Sequence, residues 1–107
     1  MTGISIVFVT AGNEEEAARI ARELVEQRLA ACANIAPRIR SIYRWQGQVH
    51  DEQECLIIIK TRTSNFEALQ AKVRELHSYE VPEIITFPVA AGLPRYLDWV
   101  MAETQEL

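Results

Sequence analysis

The stretch His77-Ser-Tyr-Glu-Val-Pro-Glu-Ile-Ile85 packs an imidazole, a phenol and two carboxylates between a helix-patterned and a strand-patterned segment. Groups of these kinds ligate metals or move protons. Imidazole suits copper and zinc, while Glu80 and Glu83 add harder oxygen donors. Competing sites are few, because the chain has two histidines, two cysteines and no Gly-rich phosphate loop. His77 also has a structural role open to it: a histidine in a last helical turn meets exposed carbonyls and the negative end of the helix dipole. His50, beside Asp51 and Glu52, reads as surface. Pairing His77 with Glu80 or Glu83 as acid and base leaves no nucleophile with a positioned base and no cofactor fingerprint. A binding protein that requires no cofactor therefore ranks above an enzyme.

A second constellation is basic. Arg38, Arg40 and Arg44 fall at the period of a strand and share one face if that strand is regular; Lys60 and Arg62 repeat the spacing later. Converging on a cleft, they would hold the carboxylate or phosphate of a small anionic effector. Their plainer role is to pair with glutamates and blunt sheet edges, and a bulge at Ser41 would break the shared face.

The elements that must position these groups follow from pattern. With 107 residues, 49% of them hydrophobic and 24% charged, the chain is expected to form one domain over residues 1–107. A net charge of -4 argues against a nucleic-acid partner. The N-terminus runs directly into Ile4-Ser-Ile-Val-Phe-Val9 with no basic n-region or long apolar stretch, so no membrane span and a cytoplasmic location are expected. Cys32 and Cys55 lie in strand-like segments and read as small core hydrophobes.

Residues 4–10 read as a strand. Asn13 then caps a helix, with Glu16 three residues later completing a capping box, and Ala17, Ile20, Ala21 and Leu24 make its apolar stripe. Cys32 to Trp45 forms a long strand, bent near Pro37 and Ser41. Gln46-Gly47 turns it, and Val49 to Thr63 returns. Ser64 and Glu67 suggest a second capping box for a helix that buries Phe66, Leu69, Val73 and Leu76 and closes at His77. Ile84–Val89 is a fourth strand, and Pro94 opens a last helix reaching about Glu103. The expected class is α+β: a ferredoxin-like βαββαβ sandwich with an additional C-terminal helix and a long hairpin joining the second and third strands.

Both helices that cross between strands should lie on one face of this sheet, yet Ile6-Val-Phe-Val9, Cys55-Leu-Ile-Ile-Ile59 and Ile84-Ile85 place apolar side chains on both faces. The uncovered face therefore calls for self-association. The hairpin is also long: about 12 residues at ~3.3 Å each span ~40 Å. Its tip, with Tyr43 and Trp45, should project beyond a domain of ~35 Å diameter and offer aromatic interface anchors.

Arg28-Leu-Ala-Ala-Cys-Ala-Asn34, Tyr43-Arg-Trp-Gln-Gly47, Glu54 before an apolar strand ending Lys60-Thr61, Tyr79-Glu-Val-Pro-Glu-Ile84 and Tyr96-Leu-Asp-Trp99 together resemble the CutA family of divalent-cation tolerance proteins, in order and over nearly the whole chain. The resemblance implies a ferredoxin-like subunit in a tight homotrimer whose three sheets pack into a central barrel-like core, with Tyr43, Trp45 and Trp99 at the interface. It also implies binding of copper or another divalent cation and carries no established enzymatic activity. Cys32 matches the cysteine of the family's Ala-Ala-Cys motif and joins His77, Glu80 and Glu83 as a metal candidate. The trimer is similar in organisation to PII-type signalling proteins, which bind small effectors between subunits; Arg38, Arg40, Arg44, Lys60 and Arg62 are the residues for such a cleft. One departure stands out: many relatives have His-Pro-Tyr-Glu-Val-Pro where this chain has His77-Ser-Tyr-Glu-Val-Pro82.

Overall fold

The computed structural model describes residues 2–107. Its elements are β1 (Ile4–Ala11), α1 (Glu14–Glu26), β2 (Cys32–Trp45), β3 (Gln48–Arg62), a 3-10 turn (Thr63–Asn65), α2 (Phe66–Leu76), β4 (Ile84–Pro88) and α3 (Pro94–Glu103). The strands form one antiparallel sheet in the order β2-β3-β1-β4. This is an α+β arrangement in the element order expected. α1 and α2 cover one face, where Ala17, Ile20, Leu24, Leu69 and Val73 pack on Val7, Val9, Ile57 and Ile59. Each such fully buried aliphatic side chain contributes about 1.5–3 kcal/mol. α3 packs separately, with Val100 against Ile4 and Ala31.

Alternate residues of the same strands form the helix-free face. Phe8 sits between Ile58 and Ile85 in register, and Ile6 between Lys60 and Phe87. Phe8 and Phe87 meet edge to face with centroids 5.1 Å apart. Ile85 and Phe87 remain 51% and 39% exposed, so this face is apolar and uncovered within the subunit.

β3 runs past the end of β1. Ala11 pairs with Cys55, and beyond that point β2 and β3 continue alone through seven pairs, from Ile39–Glu54 to Trp45–Gln48. Gln46 and Gly47, with φ of 51° and 80°, close this ribbon as a two-residue turn of the kind that matches strand twist. The molecule is accordingly 44 Å long and only 25 by 22 Å across. An isolated two-stranded ribbon is marginal in water, so cross-strand groups must hold it. Arg40 grips Asp51 with two hydrogen bonds of 2.8 and 2.7 Å, and the Tyr43 ring stacks on its register partner His50.

Two expectations are corrected here. The bend lies at Pro37 and Arg38 alone, where two β2 residues stand opposite the single Cys55; Ser41 pairs normally with Glu52. Pro37 lacks the N–H that a ladder needs, and the Cys55 thiol donates to its carbonyl at 3.3 Å. Ser64 does not cap α2. It lies inside the 3-10 turn, and Asn65 precedes the helix with its side chain turned to the Gln105 carbonyl at 3.0 Å.

α1 ends in a Schellman motif: Leu29 N–H donates to Leu24 O at 2.9 Å and Arg28 N–H to Val25 O at 3.0 Å. The motif needs a left-handed residue, and Arg28 supplies it at φ 59°. Arg28 stays because its guanidinium reaches the Ala102 carbonyl at 2.8 Å and its own carbonyl accepts from Gln105 N–H at 2.8 Å. Left-handed backbone costs a non-glycine residue about 1–2 kcal/mol. Arg28→Gly is therefore expected to be more stable than Arg28→Ala by about 1 kcal/mol, since both lose the guanidinium and only glycine relieves the backbone. Urea denaturation of the two variants checks this; equal stability would show that the backbone is unstrained.

Candidate functional site

The His77–Glu83 link fills the space beside the ribbon that opens where β1 stops. α2 ends because His77 turns to extended backbone, φ -81° and ψ 140°, and Pro82 bars a helical continuation. His77 is buried, and both ring nitrogens are engaged: Nε2–H donates to the Thr10 carbonyl at 2.6 Å, and Nδ1 accepts from the Tyr79 N–H at 3.0 Å. These bonds select the neutral tautomer protonated at Nε2. The ring thus braces β1 against the link rather than meeting its own helix carbonyls.

Glu16 makes the second brace. Asn13 Oδ1 accepts from the Glu16 N–H at 2.8 Å, as the capping box requires. The Glu16 carboxylate does not close the box. It accepts instead from Ser78 N–H at 2.7 Å and Ser78 Oγ at 3.0 Å. Burial pushes its pKa up, but the two Ser78 donors, with the Gly12 N–H, outweigh this and hold it below the usual carboxylate range. Both Ser78 donors are absent from proline, so the departure at position 78 is what this clasp is built from.

Tyr79 ties the link to the ribbon, its hydroxyl donating to Glu54 Oε2 at 2.8 Å. Burial and that carboxylate raise its pKa. Tyr43 donates in the same way to Glu52, which pushes its phenol up to about 12. Gly12 leaves room for Tyr79, because a Cβ there would stand 3.3 Å from its hydroxyl.

Between ribbon and link lies a cleft of about 720 Å³, with Arg40, Ile42, Tyr43 and Trp45 on one side and Tyr79, Glu80, Val81 and Glu83 on the other, Glu54 at its base. Of the expected basic set only Arg40 lines it. Arg38 lies in the bulge and Arg44 is exposed. Lys60 donates to Asn34 Oδ1, and Arg62 closes α3 by donating to the Met101 carbonyl and to Thr104. The anion-binding constellation is therefore not assembled within the subunit.

The expected metal ligands are not brought together either. Cys32 pairs with Lys60, which pairs with Ile6, whereas His77 contacts Thr10, four residues or ~13 Å further along β1. Among the described residues no three His, Cys, Asp or Glu side chains are grouped to hold an ion. Only Glu80 and Glu83 share the cleft. Cys32 is half-buried rather than core, on the helix-free face, with Lys60 Nζ 4.0 Å from its sulfur and Asn34 Oδ1 at 3.7 Å. Of the interface aromatics, Tyr43, Trp45 and Trp99 are all at least 39% exposed. Glu16, Glu54 and Thr10 were not singled out as site residues by sequence. Glu54 lay in a quoted motif, but its partner Tyr79 is 25 residues away.

A family profile described as CutA1 divalent ion tolerance protein matches residues 5–103. The chain is 50% identical over 99 residues to the divalent-cation tolerance protein CutA of Thermus thermophilus, covering 92% of this chain and 96% of that one. It is 48% identical over 104 residues to protein CutA of Mus musculus, where 97% of this chain spans 59% of the relative. The crystal structure of CutA1 from Oryza sativa superposes with a TM-score of 0.95 at 41% identity, over 100% of both chains.

The Glu16 clasp has a signed pH dependence. Its pKa is lowered on folding, so the unfolded chain takes up the proton first as pH falls. The stabilisation is present above the ordinary glutamate pKa of about 4.3 and is lost as pH drops through that value and the folded-state pKa below it. Between pH 6 and about pH 3, the wild type is expected to lose more stability than Glu16→Gln in urea unfolding. Parallel losses in the two proteins would rule the clasp out as a stabilising ion.

Proposed function

The chain belongs to the CutA1 divalent ion tolerance protein family, and we propose from that premise that it binds divalent cations as a homotrimer of ferredoxin-like subunits. The observation that carries the assembly is the apolar helix-free face of the sheet, left uncovered within one subunit. No three ligands are grouped among the described residues of one subunit. An ion held by three or more protein ligands must then draw them from more than one copy. The apolar helix-free face supplies the reason for copies to meet, because an uncovered face with Phe8, Ile58, Ile85 and Phe87 favours burial. The projecting ribbon carries Tyr43 and Trp45 out to a neighbour, and Trp99 is exposed on α3.

Copper is the ion this reading favours, through Cys32, since a thiolate prefers soft or borderline metals. Glu80 and Glu83 are the harder alternative. His77 drops in rank because metal binding would break a bond at either ring nitrogen. Binding, rather than catalysis, is the proposed activity; burial and Glu54 raise the Tyr79 pKa and Glu52 raises that of Tyr43, which does not suit either phenol to acid–base work near neutral pH. A cytoplasmic setting, which keeps thiols reduced, fits two free cysteines.

Light scattering is expected to give the mass of three chains, and a stable single chain at micromolar concentration would overturn the assembly. Calorimetric titration with Cu(II) and Zn(II) tests the ligands. Cys32→Ser is expected to weaken copper at least tenfold, which corresponds to about 1.4 kcal/mol. Glu80→Gln/Glu83→Gln should leave copper binding near the wild-type value. Identical affinities in all variants would refute a specific site.

A further inference from the structure

Away from the helix-free face, the exposed large apolar side chains are not scattered. Apart from Val25, Val49 and Leu107, they form two patches. One is the cleft between ribbon and link, where Ile42 and Val81 are each 65% exposed beside Tyr43, Trp45 and Tyr79. The other is the start of α3, where Leu93 is 71% exposed and the rings of Tyr96 and Trp99 meet with centroids 5.6 Å apart. Each patch holds unpaired charge. Glu80 and Glu83 line the cleft, Arg95 lies between Leu93 and Tyr96 along the chain, and none of the three forms an ion pair with a described residue. The cleft's own Arg40 is already held by Asp51. The patches also lie apart. No α3 residue lines the cleft, which reaches Thr10, whereas Val100 of α3 packs on Ile4, six residues or ~20 Å back along β1.

We infer that the start of α3 from a second copy docks in this cleft, with Leu93 against Ile42 and Val81 and Arg95 against Glu80 and Glu83. The inference rests on the proposed three-chain assembly and names the surfaces that close it. A ring of three identical copies is closed by contact between two unlike patches, so each subunit must offer one of each. The cleft and α3 are such a pair, apolar with apolar and carboxylate with guanidinium. The other arginines without an ion pair fit less well. Arg38 and Arg44 belong to β2, whose ribbon is itself one wall of the cleft, and Arg74 lies on α2, which exposes no large apolar side chain. Docking would desolvate Leu93, Ile42 and Val81 together, and burial of that kind favours association.

Cross-linking tests the pairing. In a Cys32→Ser chain, where the remaining thiol Cys55 is 2% exposed, Val81→Cys and Leu93→Cys are introduced singly and together, oxidised mildly and separated without reductant. The double variant is expected to give covalent species of two and three chains. Each single variant has no partner thiol at a contact between unlike patches and should remain a single chain. Dissociation in urea, followed by sedimentation, provides the second measurement. Arg95→Glu and Glu80→Arg/Glu83→Arg are each expected to weaken the assembly at least tenfold, and the three substitutions together should return it near the wild-type value. Light scattering on the unmodified chain separates the two ways of failing. A single chain overturns the assembly and this contact together. A mass of three chains, with no cross-link in the double cysteine variant or no recovery in the charge-swapped one, overturns this contact alone.

Discussion

The backbone pairing of β3 is the constraint on which the rest of the structure depends. This strand holds fifteen residues, and β1, its inner neighbour, holds eight. Where both neighbours are present, the sheet is wide enough to carry two helices and a core. Where only β2 remains, the same backbone ladder becomes an arm. The step between the two regimes leaves a corner, and the link after α2 settles into it. Thr10 at the end of β1 receives His77, and Glu54, one residue beyond the last β1 pairing, receives Tyr79. The cleft exists because one strand is shorter than its partner.

That corner also sets the electrostatics. Parity along β2 is broken by the extra residue at Pro37, so arginines that look equivalent in sequence leave the ladder in different places. Arg38 falls in the bulge, out of step with the other two; Arg40 finds Asp51, and Arg44 is exposed with no ion pair among the described residues. Lys60 and Arg62 have local duties at Asn34 and at the end of α3. The carboxylates of the link have none. In a chain with an excess of four negative charges, three glutamates and one paired arginine thus line the cleft between ribbon and link.

Much of this was legible beforehand, and for physical reasons. Cys55 to Ile59 was readable as a strand apolar on both sides, and its residues do alternate between buried and half-buried. Pro94 at the first turn of α3 and Asn13 before α1 are signals confined to a few neighbouring residues, and both held. What was not legible was the destination of side chains with several competing partners. Glu16 had the spacing of a capping box but found stronger donors in Ser78, 62 residues away. Asn65 replaced Ser64 before α2 because the C-terminal segment offered its amide a carbonyl. His77 had a local helix end within reach and chose the Thr10 carbonyl, 67 residues distant. Local pattern names the candidates; tertiary packing decides among them.

Serine at position 78 gives the link a different mechanical character from the one a proline there would give. A ring restricts a backbone covalently and indifferently to solvent conditions. Here stiffness comes from two hydrogen bonds to a single carboxylate, so it is conditional on that group staying ionised. The link is fastened by charge-assisted hydrogen bonds rather than by covalent geometry, and such bonds weaken when the carboxylate takes up a proton. Ser78 adjoins Tyr79, Glu80 and Val81 in the cleft wall, so the clasp that anchors this wall depends on the charge of a helix residue outside the cleft.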